Sequence, residues 1–263
     1  MFLSLKKERT LMTRLALKLT IIFVVLLQTY IYSQTFGFGC LGFTGGYAGY
    51  SHQKYQPDGL NEYIKIFNLN RKDSLTENLD SFGSANGFRV GLNFFRKKFS
   101  GVFVTAKGFY QFLDEKHQAI EKLSSGNVTT SYDVKLINWG LGFDLGTPIV
   151  SFLNWKIIDA ALLYNQARFS SSQNFPGALT IVKNYESDSK FGYSVGTGIV
   201  IEILGEYITL EGLAAYSKLT IDEMKMDDGS KLVKNENSAE VMKNFIADGG
   251  FNAVVQLNIG IPL

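Results

Sequence analysis

The last stretch of the chain, Phe245 to Leu263, constrains the fold more than any other. Taken alternately, Phe245, Ala247, Gly249, Phe251, Ala253, Val255, Leu257, Ile259 and Ile261 form one set, nearly all apolar. Ile246, Asp248, Gly250, Asn252, Val254, Gln256, Asn258 and Gly260 form the other, mostly small or polar. Side chains of a strand alternate with period two, so this pattern predicts a strand lying between an apolar phase and a polar one. It is also far longer than the ~5–6 residues of an ordinary globular strand. Such a strand suits the wall of a membrane β-barrel, apolar outside and polar within.

The same alternation recurs upstream. Phe191 to Ile203 in odd steps opposes Gly192, Ser194, Gly196, Gly198, Val200 and Glu202. Ile137, Trp139, Leu141, Phe143 and Leu145 oppose Leu136, Asn138, Gly140, Gly142, Asp144 and Gly146. Phe88, Val90, Leu92 and Phe94 oppose Arg89, Gly91, Asn93 and Phe95, and Val102, Val104, Ala106, Tyr110 and Phe112 oppose Thr105, Lys107, Phe109 and Gln111. Ile158, Ala160, Leu162 and Tyr164 oppose Asp159, Ala161 and Asn165, and Ile208, Leu210, Ala214 and Tyr216 oppose Tyr207, Thr209 and Glu211. A Gly-rich first strand within Phe36 to Ser51, with Leu41, Phe43 and Tyr47 outward, brings the predicted strands to eight.

Connection lengths alternate. Short ones fall at Arg96-Lys97-Lys98, Pro148 to Asn154 and Leu204 to Glu206. Long polar ones fall at His52 to Gly83, Asp114 to Val128, Ser170 to Ser189 and Glu223 to Asn244. This is the rhythm of an up-and-down barrel with short periplasmic turns and long extracellular loops. All four prolines fall outside the predicted strand interiors, Pro148 in a short turn. In the first long loop Leu60, Tyr63, Ile64 and Phe67 recur at helical spacing behind Asp58 as a cap, which predicts a short helix packed on the loop's own apolar residues. The aromatics Phe94, Tyr110, Trp139, Trp155, Tyr164, Phe191, Tyr216 and Phe245 are candidates for girdles at the two membrane interfaces.

Residues 1–33 stand apart. Lys6, Lys7, Arg9, Arg14 and Lys18 precede the apolar run Ile21 to Leu27, and Ile31-Tyr32-Ser33 ends in a small residue before Gln34. That is the layout of a cleaved signal peptide, with Met1 or Met12 as the start, leaving 34–263 as one barrel domain. The full chain has 26 basic and 24 acidic side chains. The segment holds five of the basic ones and Glu8, so the remainder carries 21 against 23. A slightly acidic mature chain gives no support for nucleic-acid binding. One cysteine, Cys40, excludes an internal disulfide.

The predicted inward set holds Arg89, Lys107, Asp144, Asp159, Glu202, Glu211 and Asp248. A buried charge must be paired or hydrated, so these predict one lumen network with Arg89 and Lys107 as its cationic hubs. The two histidines, His52 and His117, are in no metal-ligand spacing, and no catalytic, metal or cofactor site is predicted. An alternative is a lipid-remodelling enzyme with Ser51, His52 and Asp80 at the outer rim, since the ends of the first long loop are neighbours. A second is a soluble periplasmic barrel binding an apolar ligand, which demands apolar residues inside.

The signal segment, the opening Gly42-Phe43-Thr44-Gly45-Gly46-Tyr47, the eight alternating segments and the ending Gln256 to Leu263 resemble small Gram-negative outer-membrane β-barrel proteins of the OmpA and OmpX type. Many such proteins end in Phe, whereas here Leu263 follows Pro262. The resemblance implies an eight-stranded antiparallel barrel in the outer membrane, surrounded by lipid, non-enzymatic, and serving a structural, adhesive or partner-binding role through its extracellular loops.

Overall fold

The computed structural model describes residues 45–260 except 100, 125, 178, 206, 236 and 237. The predicted export segment, Cys40, Leu41 and Phe43 lie outside the described residues. The described strands are β1 (Gly45–Lys54), β2 (Leu75–Glu77), β3 (Ser84–Phe99), β4 (Val102–Leu123), β5 (Gly126–Val150), β6 (Leu153–Asn174), β7 (Ile181–Glu186), β8 (Lys190–Leu204), β9 (Ile208–Ser217) and β10 (Gly250–Gly260). One described helix spans Asp58–Asn70. Eight strands close an antiparallel ring, β1–β3–β4–β5–β6–β8–β9–β10, with β10 returning to β1. The fold is therefore all-β, an eight-stranded up-and-down barrel, and closure removes the exposed edges an open sheet would have. β2 and β7 lie off the ring, on the outer ends of β4 and β6.

Several strands overrun their predicted ends. The pairing of β4 with β5 continues to Leu123↔Gly126, so the expected loop Asp114–Val128 is mostly hairpin. β6 runs on to Asn174, and β7 returns beside it inside the expected loop Ser170–Ser189. At the other end of the barrel β3 continues through Arg96, Lys97 and Lys98 to Phe99. Pro148 lies in β5 rather than in the turn, opposite Asn154 and beside a register irregularity, a place in a sheet that tolerates proline.

The long strands keep one facing, but the chemistry of their two faces inverts along their length. On β5, Val128, Thr130, Tyr132, Val134 and Leu136 are buried inward, while Thr129, Ser131, Asp133 and Lys135 are half-exposed outward. Below Leu136 the same parity carries the opposite chemistry. Ile137, Trp139, Leu141 and Phe143 point outward, and Leu141 is 66% exposed. Asn138, Gly140, Gly142 and Asp144 point inward. β6 repeats this, with Leu162 and Tyr164 outward below and Ala167 and Phe169 inward above. One strand thus has a polar outer face above Leu136 and an apolar one below it. The lower segments carry the expected apolar belt, which includes Val90, Leu92, Leu257 and Ile259. From Phe112 down to Val102 β4 covers about the 25 Å of such a band. Of the girdle candidates, Phe94, Trp139, Trp155, Tyr164, Phe191 and Tyr216 are exposed on this wall.

Above the belt the inward apolar faces form a core of their own. Helix residues Leu60, Ile64 and Phe67 pack on Tyr132, Phe169 and Leu79. The stretch between β9 and β10 adds Leu219, Ile221, Met224, Leu232 and Met242, so the charged loop Glu223–Asn244 is a half-buried lid, not only a solvated surface. Phe245 and Ile246 belong to this core, with the Phe245 ring 5.6 Å from that of Phe169. That corrects their place in the final strand. β10 begins only at Gly250, so Phe245 faces protein, not lipid. The helix starts at Asp58 itself, behind Pro57 and without a side-chain cap. The Asp58 charge instead meets the positive end of the helix.

Two bulges change parity inside the belt. β3 slips against β4 between Asn93 and Phe95, so Phe94 and Phe95 both face out, where strict alternation had placed Phe95 inward. β6 slips against β8 between Lys156 and Asp159, so Ile157 and Ile158 both face out. A bulge inserts one extra residue, and everything beyond it changes face.

Candidate functional sites: the lumen network and the outer cap

The second bulge builds the centre of the lumen, because it turns both Lys156 and Asp159 inward. Lys156 lies 2.8 Å from Asp144 and 3.8 Å from Asp159, and it also pairs with Glu211. Lys107 pairs with Asp159 and lies 3.5 Å from Asp144. Five charged side chains from β4, β5, β6 and β9 thus meet in one buried cluster. Arg89 is a sixth charge nearby but joins no ion pair among the described residues. Its guanidinium donates twice to Gln111 Oε1, at 2.8 and 2.6 Å, and lies 4.2 Å over the Phe109 ring. The three cations Arg89, Lys107 and Lys156 balance the three carboxylates Asp144, Asp159 and Glu211.

The cationic hubs are therefore Lys107 and Lys156, not Arg89. Strict alternation from Ile158 placed Lys156 outward, and only the bulge reverses it. Glu202 lies toward the inner end, half-buried, accepting from Asn154 Nδ2 at 2.8 Å. Asp248 is not in the lumen. It sits at the outer rim, 3.0 Å from Lys218 and accepting from the Tyr216 hydroxyl at 2.8 Å.

Neutral groups complete the filling. Gln111 donates to Gln53 at 3.2 Å, Ser51 donates to Gln111 at 3.1 Å, and Asn252 donates to Ser217 at 3.2 Å. Below the charges Asn258 donates to Thr209 at 3.2 Å and Gln256 donates to Asn258 at 3.1 Å. Aromatic rings cross the lumen where glycines give them room. Phe109 lies against Gly140 and Tyr47 against Gly91, positions where a β-carbon would collide with the ring. A cavity of about 10 Å³, roughly one water, remains beside Arg96, Asp144 and Glu211. An eight-stranded interior is filled by side chains, and here the apolar core also closes its outer end.

The outer-rim residues Ser51, His52 and Asp80 are not brought together. Ser51 is fully buried and faces the lumen, bonded to Gln111 and Asn252. His52, next along β1, faces outward with Nδ1 2.8 Å from Asn86 Oδ1. Neighbouring strand residues point to opposite faces, so Ser51 and His52 cannot share a reacting atom. Asp80 approaches His117 instead, at 4.0 Å. His117 also meets Glu115 Oε1 at 3.0 Å. The Glu115 carboxylate further accepts from the Tyr55 hydroxyl at 2.8 Å and from the backbone N–H groups of Gly83 and Ser84 at 3.0 and 2.7 Å. With its lone pairs occupied, Glu115 fastens the end of the first long loop to β4. Burial and the Glu115 charge hold the Tyr55 phenol protonated well above the usual range.

In the lid, Glu223 accepts from Lys231 at 2.6 Å and from Lys243. These bonds, Lys231 first, pull its pKa from 4.5 to about 2. The folded value is the lower one, so this contribution to lid stability is complete above pH 4.5 and is lost as the pH falls toward 2. In a carboxyl NMR titration Glu223 is expected to stay ionised at pH 3.5, and Glu223→Gln is expected to flatten the lid's acid response between 4.5 and 2. A Glu223 midpoint near 4.5 would show that the lid lysines are not engaged.

Apolar outside, polar and charge-balanced inside, short turns below and a built cap above: this is the build of a small membrane-type β-barrel. The soluble-barrel alternative needed the reverse facing, and the exposed belt runs against it. Solved structures with a similar course include Ail, the attachment invasion locus protein of Yersinia pestis, determined with the heparin analogue sucrose octasulfate (8% identity, TM-score 0.36, 83% of this chain and 98% of that one). They also include Neisserial surface protein A (14%, 0.36, 84% and 99%) and the outer membrane protease OmpT from Escherichia coli (8%, 0.39, 83% and 94%). No family model and no curated protein matches the chain.

Proposed function

We propose that this is an integral outer-membrane protein in which the barrel is a non-conducting anchor and the capped outer end is a partner-binding module without catalytic activity. Residues 1–33 serve as its export signal and outer-membrane lipid surrounds the belt. The observation that carries the reading is the change of chemistry on the two faces of β5 between Leu136 and Ile137, polar outside above and apolar outside below, as expected of a continuous strand that crosses from water into lipid. The filled lumen supports the non-conducting anchor, and the separation of Ser51 from His52 supports a non-enzymatic role.

Cysteine labelling tests the topology. In a background lacking Cys40, Ser131→Cys is expected to react with a membrane-impermeant maleimide on intact cells, and Leu141→Cys is expected not to. Equal labelling at both sites would refute the bilayer placement. The purified protein is expected to need detergent for extraction, to run faster on gels before boiling than after, and to show no unitary conductance in planar bilayers. Steady channel openings would overturn the anchor reading. N-terminal sequencing of the exported chain is expected to begin at Gln34.

A further inference from the structure

β7 has an open side among the described residues. It pairs with β6 along one edge, from Gln173↔Ile181 to Arg168↔Glu186. On its other edge only Glu186 is engaged, exchanging both backbone bonds with Lys225 at 2.7 and 2.9 Å. Backbone groups alternate in direction along a strand, so Asn184 and Val182 present their N–H and C=O to the same side as Glu186. No backbone partner faces them there among the described residues. The side chains around this edge are apolar and exposed, with Leu179 at 90% and Val182 at 54%. Natural sheets usually blunt such an edge, because it is a template for another strand.

The inner face of β7 borders a cleft of about 350 Å³, within the range of ligand-sized sites. Phe169 and Tyr185 form its floor, and Tyr63 and Arg71 from the helix end form one wall. Lys183 stands at its mouth, exposed and without an ion pair among the described residues. Arg71 lies 3.5 Å from Glu121, but none of the lining residues is itself acidic. A strand laid on β7 would drop alternate side chains toward this basic, aromatic cleft.

We propose that the open edge of β7 and this cleft dock an extended acidic segment of another protein by antiparallel strand addition. Backbone bonds to Val182 and Asn184 hold the segment, and its alternate carboxylates meet Lys183 and Arg71. This is the division of labour known for strand addition, in which the main chain supplies affinity and side-chain pockets supply choice. The occupant is not a second copy in the same membrane. Two copies sharing a bilayer are related by an axis along its normal, so their β7 strands run the same way relative to the membrane and cannot pair antiparallel. The proposal deepens the partner-binding reading above, but it is measured on purified protein and does not depend on which side of the membrane the cap faces.

The probe is a fluorescent decapeptide alternating Val and Glu, titrated by polarisation against the full chain in detergent micelles. Saturable binding is expected, weakened ~10-fold or more when alternate peptide nitrogens are methylated, the effect of losing one or two net backbone hydrogen bonds. Val182→Pro is expected to weaken it similarly, since a proline on that edge removes a free N–H and leaves the β6 ladder intact. Replacing Glu by Lys in the peptide is expected to abolish binding, and Lys183→Gln to narrow that preference. The methylated peptide leaves the protein untouched, so it decides the matter even if Val182→Pro misfolds. The proposal is overturned if no saturation occurs below ~1 mM, or if methylation and Val182→Pro each change the Kd by less than about twofold. A native mass of two chains that Val182→Pro reduces to one would equally overturn it, in favour of self-association.

Discussion

Lys156→Met is expected to destabilise the barrel by about 3–5 kcal/mol, the cost of breaking a buried ion pair from one side. Lys156 bridges Asp144 and Glu211 inside a wall that is apolar on its far side. Asp144 keeps Lys107 at 3.5 Å when Lys156 is lost, whereas Glu211 keeps only the Asn258 amide at 3.3 Å. A lone carboxylate in a packed lumen has neither solvent nor counter-charge, and methionine fills the volume without supplying either. The double variant Lys156→Met, Glu211→Met is therefore expected to recover most of the loss, because charge balance returns with similar packing. Urea unfolding in micelles, run as a double-mutant cycle, measures this. A single-variant cost under ~1 kcal/mol would mean that lumen water, not Lys156, compensates these carboxylates.

Leu141→Arg is expected to cost about 2–4 kcal/mol in lipid, the depth-dependent penalty for a cation on the outer face of a barrel near the bilayer midplane. Leu141 is among the most exposed side chains of the belt, and it is the third outward residue on β5 below the point where the outer face turns apolar. The control is Ser131→Arg, on the same face of the same strand but above that point. Its surround is water, so its cost is expected within ±0.5 kcal/mol, as for ordinary surface substitutions. The comparison separates solvents rather than structures, since both side chains leave the same strand in the same direction. If both variants cost nothing, the belt faces water and the chain is not a membrane barrel.

Much of the barrel wall was legible in the sequence, because facing on a strand is a local property with period two. Asn252, Val254, Gln256 and Asn258 against Phe251, Val255, Leu257 and Ile259 required only counting. The placing of Arg89, Lys107, Asp144, Asp159 and Glu211 inside followed from the same parity. The helix Asp58–Asn70 was visible through Leu60, Ile64 and Phe67. The cap was not visible as a cap. Asp114–Val128 and Ser170–Ser189 are rich in polar residues because their outer faces meet water, and a strand with a wet exterior reads as loop when an oily exterior is the criterion. Their buried partners, such as Tyr132 and Phe169, declare themselves only once the opposite wall and the helix are in place.

What the sequence determined by itself was therefore the alternation: the segments, their belt and the sign of their facing, set by the chemistry of one residue and its next neighbour but one, except on the Gly-rich first strand, where Tyr47, expected outward, is buried in the lumen. The tertiary structure decided where that alternation breaks. Lys156 is a lumen cation only because β6 slips by a residue against β8, and Phe95 faces outward only because β3 slips against β4. A bulge is fixed by hydrogen bonding to strands that lie far away in the chain, so no local period encodes it. The same holds for the terminal stretch. Its alternation runs unbroken from Phe245 to Ile261, yet at Gly250 its surround changes from cap core to barrel wall. Period two states that a strand has two faces, and only the neighbours state what each face meets.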